Sequence, residues 1–263
     1  MDRIVLAYSG GPASSIAIPW LREQHHAEVV TVTVDLGQHE SLEGIRVRAL
    51  ASGAVRAHVL DRRDVFARHH LLPAVQDGAM DIDSDEALAL LARPLIAHAM
   101  VEIAQIEGAR IVAHAAGGDD DRDRVAASVK AIDAAIQVID VANLWTLTPE
   151  TMAAYARERG IPFATLSAEV EAPAPVRGAS AAALRVAIEF RVGVPVKING
   201  VEMELVELLT SLDTIASSQG VAGSVALGVA FRALQARLGA DAVTGAETIS
   251  VSNGMCEVVA NVL

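Results

Sequence analysis

Over the first two thirds of the chain, short unbroken apolar runs alternate with longer stretches in which apolar residues return every three or four positions. Ile4 to Tyr8 is such a run and predicts a buried strand, and Ile16 to His25 follows it with helical spacing. Glu28 to Asp35 has a Val-Val-Thr-Val-Thr-Val centre and predicts a second strand. A helix is expected from Glu40 to Ser52, ended by Gly53, and a third strand from Val55 to Leu60. Next comes a longer helical region broken near Pro73. A helix then starts at Ser84, with Asp85 and Glu86 at the positive end of its dipole, a kink at Pro94 and a stop at Gly108. Arg110 to His114 and Ile136 to Val141 predict strands four and five, separated by a Gly/Asp-rich loop and a helix. Thr148-Pro149-Glu150 opens a further helix that Gly160 closes.

Strands alternating with helices at this spacing imply right-handed crossovers and a Rossmann-like α/β unit, a five-stranded parallel sheet with helices on both faces. We assign it to residues 1–165. The proline-rich Ala172 to Gly178 marks a boundary, and residues 166–263 predict a smaller α+β domain. Its strands are Leu184 to Val192 and Pro195 to Ile198, turning at Gly193, with a second turn at Asn199-Gly200. Helices over Leu205 to Ser217 and Val221 to Leu238 precede a hairpin of Thr248 to Ser252 and Glu257 to Asn261, turning on Asn253-Gly254. In parallel sheets ligands bind beyond the carboxyl ends of the strands, which directs attention to the loops after Tyr8, Asp35 and His114.

Composition narrows the function classes. The chain carries 33 acidic and 21 basic residues, a formal charge of −12, and 3% aromatic residues, so a nucleic-acid partner has neither counterion release nor base stacking to draw on. No apolar run reaches the roughly 18 residues a membrane-spanning helix needs, so no membrane association is expected. One cysteine, Cys256, forbids an internal disulfide and fits a reducing, cytoplasmic setting. The same lone thiol disfavours sulfur transfer, which needs a second cysteine. His25-His26 and His69-His70 are adjacent pairs rather than i, i+4 pairs, and read as helix-end surface residues rather than zinc ligands.

Chemistry concentrates in Ser9-Gly10-Gly11-Pro12-Ala13-Ser14-Ser15, between a strand and a helix. Glycines let the backbone approach an anion, the first amides of the helix point at it, and the three serine hydroxyls are further possible donors. The loop lacks the lysine of a Walker sequence and the glycine spacing of a dinucleotide fingerprint.

Ala7 to Gly11, Ser15 to Leu21, Thr33 to Gln38, Leu91 to Ala97, and Val194-Pro195-Val196 through Asn199-Gly200 to Leu209 together resemble the argininosuccinate synthase family over roughly residues 1–218. Beyond that the match weakens, and the family's C-terminal oligomerisation arm is not recognised. The resemblance implies an ATP-pyrophosphatase-type site for ATP and magnesium, lined by Ala7, Tyr8, Ser9, Gly10, Gly11, Ser14, Ser15, Val34 and Ala115. It further implies that Arg93, Gly117, Asp121 and Arg122 face a small-molecule substrate, and that an AMP-forming ligation takes place. A homodimer is the expected assembly.

Departures from the family fall on its chemistry. Pro12 and Ala13 stand where the family has leucine and an aspartate, removing a carboxylate suited to magnesium. Ala115 replaces a glycine near ATP, Gly117 a threonine that helps hold aspartate, and Asp121-Arg122 an Asn-Asp pair. Asp85 and Ala89 fall where a tyrosine and a hydroxyl residue face citrulline, and Leu166 to Gly178 lacks the family's serine pair. Losing several hydrogen-bond partners costs on the order of 10⁴ in selectivity, so citrulline and aspartate are not the expected substrates. Asp121, within the run Asp119-Asp120-Asp121 with Asp123, is the candidate to replace the lost metal ligand; a solvated acidic loop interleaved with Arg122 and Arg124 is the plainer reading. Asp35, at a strand end, is a further site candidate, and Arg93 could grip a phosphate or carboxylate in bidentate fashion or serve a structural ion pair. No residue is assigned a catalytic role, and a catalytically inactive binding or regulatory subunit is the alternative reading.

Overall fold

The computed structural model describes residues 2–38, 41–77, 85–115, 119–144, 148–161, 183–239 and 243–259. Contacts divide the chain into two units, one of Met1–Arg62 with Ala92–Val170, the other of Arg63–Leu91 with Glu171–Leu263. The segment Arg63–Leu91, placed by sequence with the first 165 residues, thus packs with the second unit. A boundary read from proline content cannot reveal such a non-contiguous exchange.

In the first unit β1 (Arg3–Ala7), β2 (Glu28–Asp35), β3 (Arg56–Asp61), β4 (Ile111–His114) and β5 (Gln137–Asp140) form a parallel sheet of order β3-β2-β1-β4-β5. Alternate residues of each strand face opposite layers. Ile4, Leu6 and Val29 pack with Ile18 and Leu21 of α1 (Pro12–His25) and with Ile45 and Ala49 of α2 (Leu42–Ala51). Val5, Val30 and Val32 pack with Met100 and Ile103 from the long helix Asp85–Glu107 and with Val125 and Val129 from the helix Asp119–Ile132. Both faces are covered, as a parallel sheet requires. The short helix Val141–Leu144 and the helix Pro149–Glu158 follow β5. The latter opens on a capping box between Thr148 and Thr151 and buries Ala156 against Ile16 of α1.

The segment expected to break at Pro73 does not break there. The chain runs from α3 (Arg63–Phe66) through a π-helical turn at Ala67–Leu71 into α4 (Leu72–Asp77). Proline has no N–H and its ring crowds the carbonyl four residues back; the wider turn just before it, in which the Leu72 amide donates to the Ala67 carbonyl, relieves both. In chain order the remaining helices are α5 (Asp85–Glu107), α6 (Asp119–Ile132), α7 (Val141–Leu144), α8 (Pro149–Glu158), α9 (Leu205–Ser217) and α10 (Gly223–Leu238). Helix α5 continues through Pro94. Its span Ala87–Glu107 is long and apolar enough by composition to cross a membrane. Its Ala97, Met100, Ile103 and Ala104 are spent instead on the sheet.

The second unit is an antiparallel sheet of order β10-β9-β6-β7-β8, made of β6 (Leu184–Arg191), β7 (Val194–Ile198), β8 (Val201–Glu202), β9 (Gly245–Ser252) and β10 (Met255–Val258). Val192-Gly193, Asn199-Gly200 and Asn253-Gly254 all have positive φ at both positions, which matches the twist of the strands they join. The last turn holds two residues, so β10 begins at Met255 rather than at Glu257. One face alternates apolar side chains, Val186, Ile188, Phe190, Ile249 and Val251, all buried, with Phe190 edge-on to Phe231 of α10 at 5.7 Å. The proline-rich segment Ala172 to Gly178 lies outside the described residues.

At the amino ends of the parallel strands, the Glu107 carboxylate is buried among Arg3, Arg56 and His58, at 3.1, 3.0 and 2.9 Å. Burial alone would raise its pKa, but hydrogen bonds from His58 and Arg56 outweigh that and hold it below the usual glutamate range. A depressed carboxyl stabilises the fold at neutral pH and loses that contribution as pH falls through its folded value. Both arginines are partly exposed, so the effect is screened. Glu107→Gln should cost about 1–2 kcal/mol at pH 7 in urea unfolding, with the gap to wild type closing as pH drops below about 4. A gap that stays constant with pH would contradict the assignment.

Candidate functional site

The site is built on the carboxyl ends of β2, β1 and β4, neighbours in the sheet. Ala7 ends β1, Val34 lies near the end of β2, and Ala115 follows β4. Ala7 and Val34 pack on the α5–α6 side and Tyr8 and Ala115 on the α1–α2 side, so these four predicted residues flank one crest. Thr33 Oγ1 donates to the Tyr8 carbonyl at 2.9 Å and the Tyr8 amide donates to Val32, which carries the strand pairing one residue past Ala7.

The chain then leaves the sheet abruptly. Gly10 has φ +83, a region costly for a side chain, and a Cβ there would lie 2.8 Å from Arg48 Nη1 and 3.0 Å from Ile45 Cγ1. Gly11 caps α1 without a side-chain bond, Pro12 occupies the first turn, and that turn has no acidic residue. Pro12 supplies the φ a helix start needs but no N–H, so the open amides of the cradle are those of Gly11, Ala13 and Ser14. The Gly11 amide reaches Ser9 Oγ only at 3.4 Å.

The hydroxyls do not behave as the sequence alone suggests. Ser14 Oγ and Ser15 Oγ both donate to the Gly11 carbonyl, at 3.0 and 2.9 Å. Both serines are buried. Since Ser15 donates to Gly11, the Tyr8 hydroxyl is the donor in the 2.9 Å contact with Ser15 Oγ. The two hydroxyls brace the turn, and exposed Ser9 is left as the serine at the cradle's mouth.

Arg48 was not legible from the sequence as part of the site, and Asp35, the strand-end candidate, closes a turn. Arg48, on α2 one turn after buried Ile45, donates from Nη1 to the Gly10 carbonyl at 2.6 Å. Its legible signal was only the i, i+3 spacing of Ile45 and Arg48. Asp35 is buried, and its Oδ1 accepts from the Gly37 amide at 2.9 Å, which closes the turn after β2.

Residues Asp119 to Asp123 do not form a loop: the backbone there opens α6. Asp121 and Arg122 therefore sit in the first turn of a helix after β4, with side chains outside the described residues, as is Gly117 altogether. Arg93 is buried within α5. Leu166 to Gly178 likewise falls outside the described residues. Among the described residues no group of three or more potential ligands could hold a metal, and His25-His26 ends α1 with His26 in the left-handed region. Burial, with Glu257 beside it, pushes the Cys256 thiol up and leaves it a poor nucleophile.

A parallel sheet of this order with a glycine turn at the end of its central strand defines a HUP-type α/β domain. The description matched over residues 3–162 is the arginosuccinate synthase N-terminal HUP domain, and the chain belongs to the argininosuccinate synthase family. It is 34% identical over 251 residues to the argininosuccinate synthase of Caldanaerobacter subterraneus subsp. tengcongensis, covering 84% of this chain and 61% of that protein. The enzymes of Nitratidesulfovibrio vulgaris and Metallosphaera sedula are 35% and 32% identical, over 84% and 83% of this chain and 63% and 62% of theirs. The chain thus spans about three fifths of the length of the curated relatives it matches. A solved structure described as a predicted subunit of tRNA methyltransferase from Methanocaldococcus jannaschii is 17% identical with a TM-score of 0.41, covering 60% of this chain and 77% of that one.

The φ of Gly10 and the Arg48 contact give separable costs. Gly37 also has positive φ (+95) but open space around it. Gly37→Ala should cost about 1 kcal/mol from backbone strain alone, and Gly10→Ala about 2–3 kcal/mol because Arg48 must also leave its carbonyl. Equal losses in urea unfolding would show that the arginine contact contributes nothing.

Proposed function

We propose that the chain binds ATP at the Ser9–Ser15 turn and acts as an AMP-forming carbon–nitrogen ligase that joins a small amine to the carbon bearing the adenylated oxygen of an acceptor other than citrulline. The observation that carries this reading is the Gly10-Gly11 turn, where a side chain at Gly10 would be strained and would press on Arg48 and Ile45, with open amides at the carboxyl edge of a parallel sheet. Ser9, Gly10 and Gly11 lie nearest the pyrophosphate portion, Tyr8, Ser14 and Ser15 brace them, and Ala7, Val34 and Ala115 border the nucleoside. Arg93, Gly117, Asp121 and Arg122 form the substrate side.

The acceptor oxygen attacks the α-phosphorus and the bond to the pyrophosphate oxygen breaks; the amine nitrogen then attacks the carbon bearing that oxygen, gives up a proton, and AMP leaves with the oxygen as the C–O bond breaks. Preorganised amides stabilise the charge that develops on the departing pyrophosphate, and alignment of two substrates in turn supplies the rest. Magnesium would neutralise phosphate charge when bound. The first turn of α1 offers it no carboxylate, and Asp121 or a neighbour at the start of α6 is the proposed ligand. A soluble cytoplasmic homodimer working on small molecules fits this reading.

A second reading has its own support. The Ser14 and Ser15 hydroxyls are committed to the Gly11 carbonyl and the acidic residue expected at Ala13 is gone, as in a homologue kept for binding or regulation without turnover.

Calorimetric titration with ATP, with and without magnesium, separates the outcomes when paired with pyrophosphate release under a panel of amines with carboxylate or ureido acceptors. Binding with acceptor-dependent release is expected; absence of release under every acceptor favours the second reading, and no binding at millimolar ATP overturns the ligase. Ala13→Asp should strengthen the magnesium-dependent part of ATP binding by about tenfold, the value of one charge-assisted contact.

A further inference from the structure

We propose that Arg48 is the positioning residue of the anion loop: by holding the Gly10 carbonyl it turns the Gly11 amide into the cradle and places a positive charge beside a loop that has no lysine. This rests on the reading that the loop binds phosphate. Across a trans peptide the carbonyl and the following N–H point in opposite directions, so fixing one aims the other. No peptide bond in the described chain is cis, and Arg48 Nη1 meets the Gly10 carbonyl at 2.6 Å, the closest of the loop's contacts. The Gly11 amide is thereby directed away from α2, toward Ser9 Oγ, where it makes only a 3.4 Å contact that an anion oxygen can displace.

Gly10, with φ +83, can adopt either orientation of that peptide at little cost. Nothing in the glycines themselves selects the anion-binding one. Selection falls to Arg48, which is half-buried on α2 and carried by Ile45 and Ala49, both buried in the core beneath it. A Cβ at Gly10 would lie 2.8 Å from the same guanidinium and push it off the carbonyl, so the arginine's present position depends on glycine there. A guanidinium keeps its charge at all accessible pH values and so partly offsets the repulsion an incoming phosphate meets on a chain of net charge −12.

The test is calorimetry on the full chain with inorganic pyrophosphate as probe, read beside the Gly11 amide cross-peak in a proton–nitrogen NMR spectrum. Arg48→Met should weaken pyrophosphate binding by about 10–100-fold, the loss of a charge-assisted contact, and abolish the pyrophosphate-induced shift of the Gly11 amide. Arg48→Lys, which can still donate to the Gly10 carbonyl and keeps the charge, should recover binding to within about fivefold and restore the shift. A merely structural arginine would lower the melting temperature without moving that shift. Binding by Arg48→Met within twofold of wild type, or a lysine variant no better than methionine, would overturn the proposal. Should Arg48→Met fail to fold, Arg48→Gln takes its place: glutamine keeps a neutral donor, so it should retain the Gly11 shift and bind more weakly than lysine, and equal binding would overturn the claim about charge. If wild type binds no pyrophosphate, the phosphate reading and this inference fall together; if it binds and the variants match it, this inference falls alone.

Discussion

The orientation of one peptide, Gly10–Gly11, is the constraint on which the rest of the site depends. Arg48 holds that plane itself, and the other contacts fix the peptides on either side of it. Thr33 and Val32 fix Tyr8 at the end of the strand pairing, Ser14 and Ser15 hold the Gly11 carbonyl from below, and Arg48 holds the Gly10 carbonyl from the side. With both carbonyls engaged, the amides at the start of α1 remain as the polar surface of the turn. The Ser14 and Ser15 hydroxyls serve as braces, and in the proposed site the main-chain donors are the groups already in place for an arriving charge.

Opposite ends of the same parallel sheet are put to different uses. At the amino ends, Arg3, Arg56 and His58 close around the buried Glu107, and their charges are consumed internally. At the carboxyl ends, the chain leaves the sheet through turns at Gly10 and Gly37; Asp35 and Gln38 satisfy the second from within, while the first leaves the amides at the start of α1 open. Stability is therefore concentrated where no ligand is expected, which lets the other edge carry a turn with unpaired amides.

Much of the architecture was legible in the sequence because period and punctuation agreed. The five parallel strands, the capped helix after Thr148 and the three Gly-containing hairpin turns each announced themselves through local chemistry. The misses share a physical cause: each depends on a partner distant in sequence or on geometry wider than a single turn. Pro73 was absorbed by a π-turn, Asp119 to Asp123 opened a helix instead of a loop, and Arg63–Leu91 joined the second unit. In the candidate site the glycines, the lost carboxylate and the strand-end residues were readable. The engagement of Ser14 and Ser15 was not, since a hydroxyl beside a helix start has two possible acceptors. Arg48 lies 38 residues from the carbonyl it holds, and its spacing from Ile45 places it on a helix face without revealing that partner.

The central claim is that the turn at the start of α1 still holds a triphosphate although the aspartate that family members carry there is alanine. Diffraction from crystals soaked in ATP tests it most directly. The account predicts phosphate density within hydrogen-bond distance of the Gly11, Ala13 and Ser14 amides, with Arg48 still on the Gly10 carbonyl. An ATP-soaked crystal with that turn bare, or with the nucleotide seated elsewhere on the chain, would contradict it.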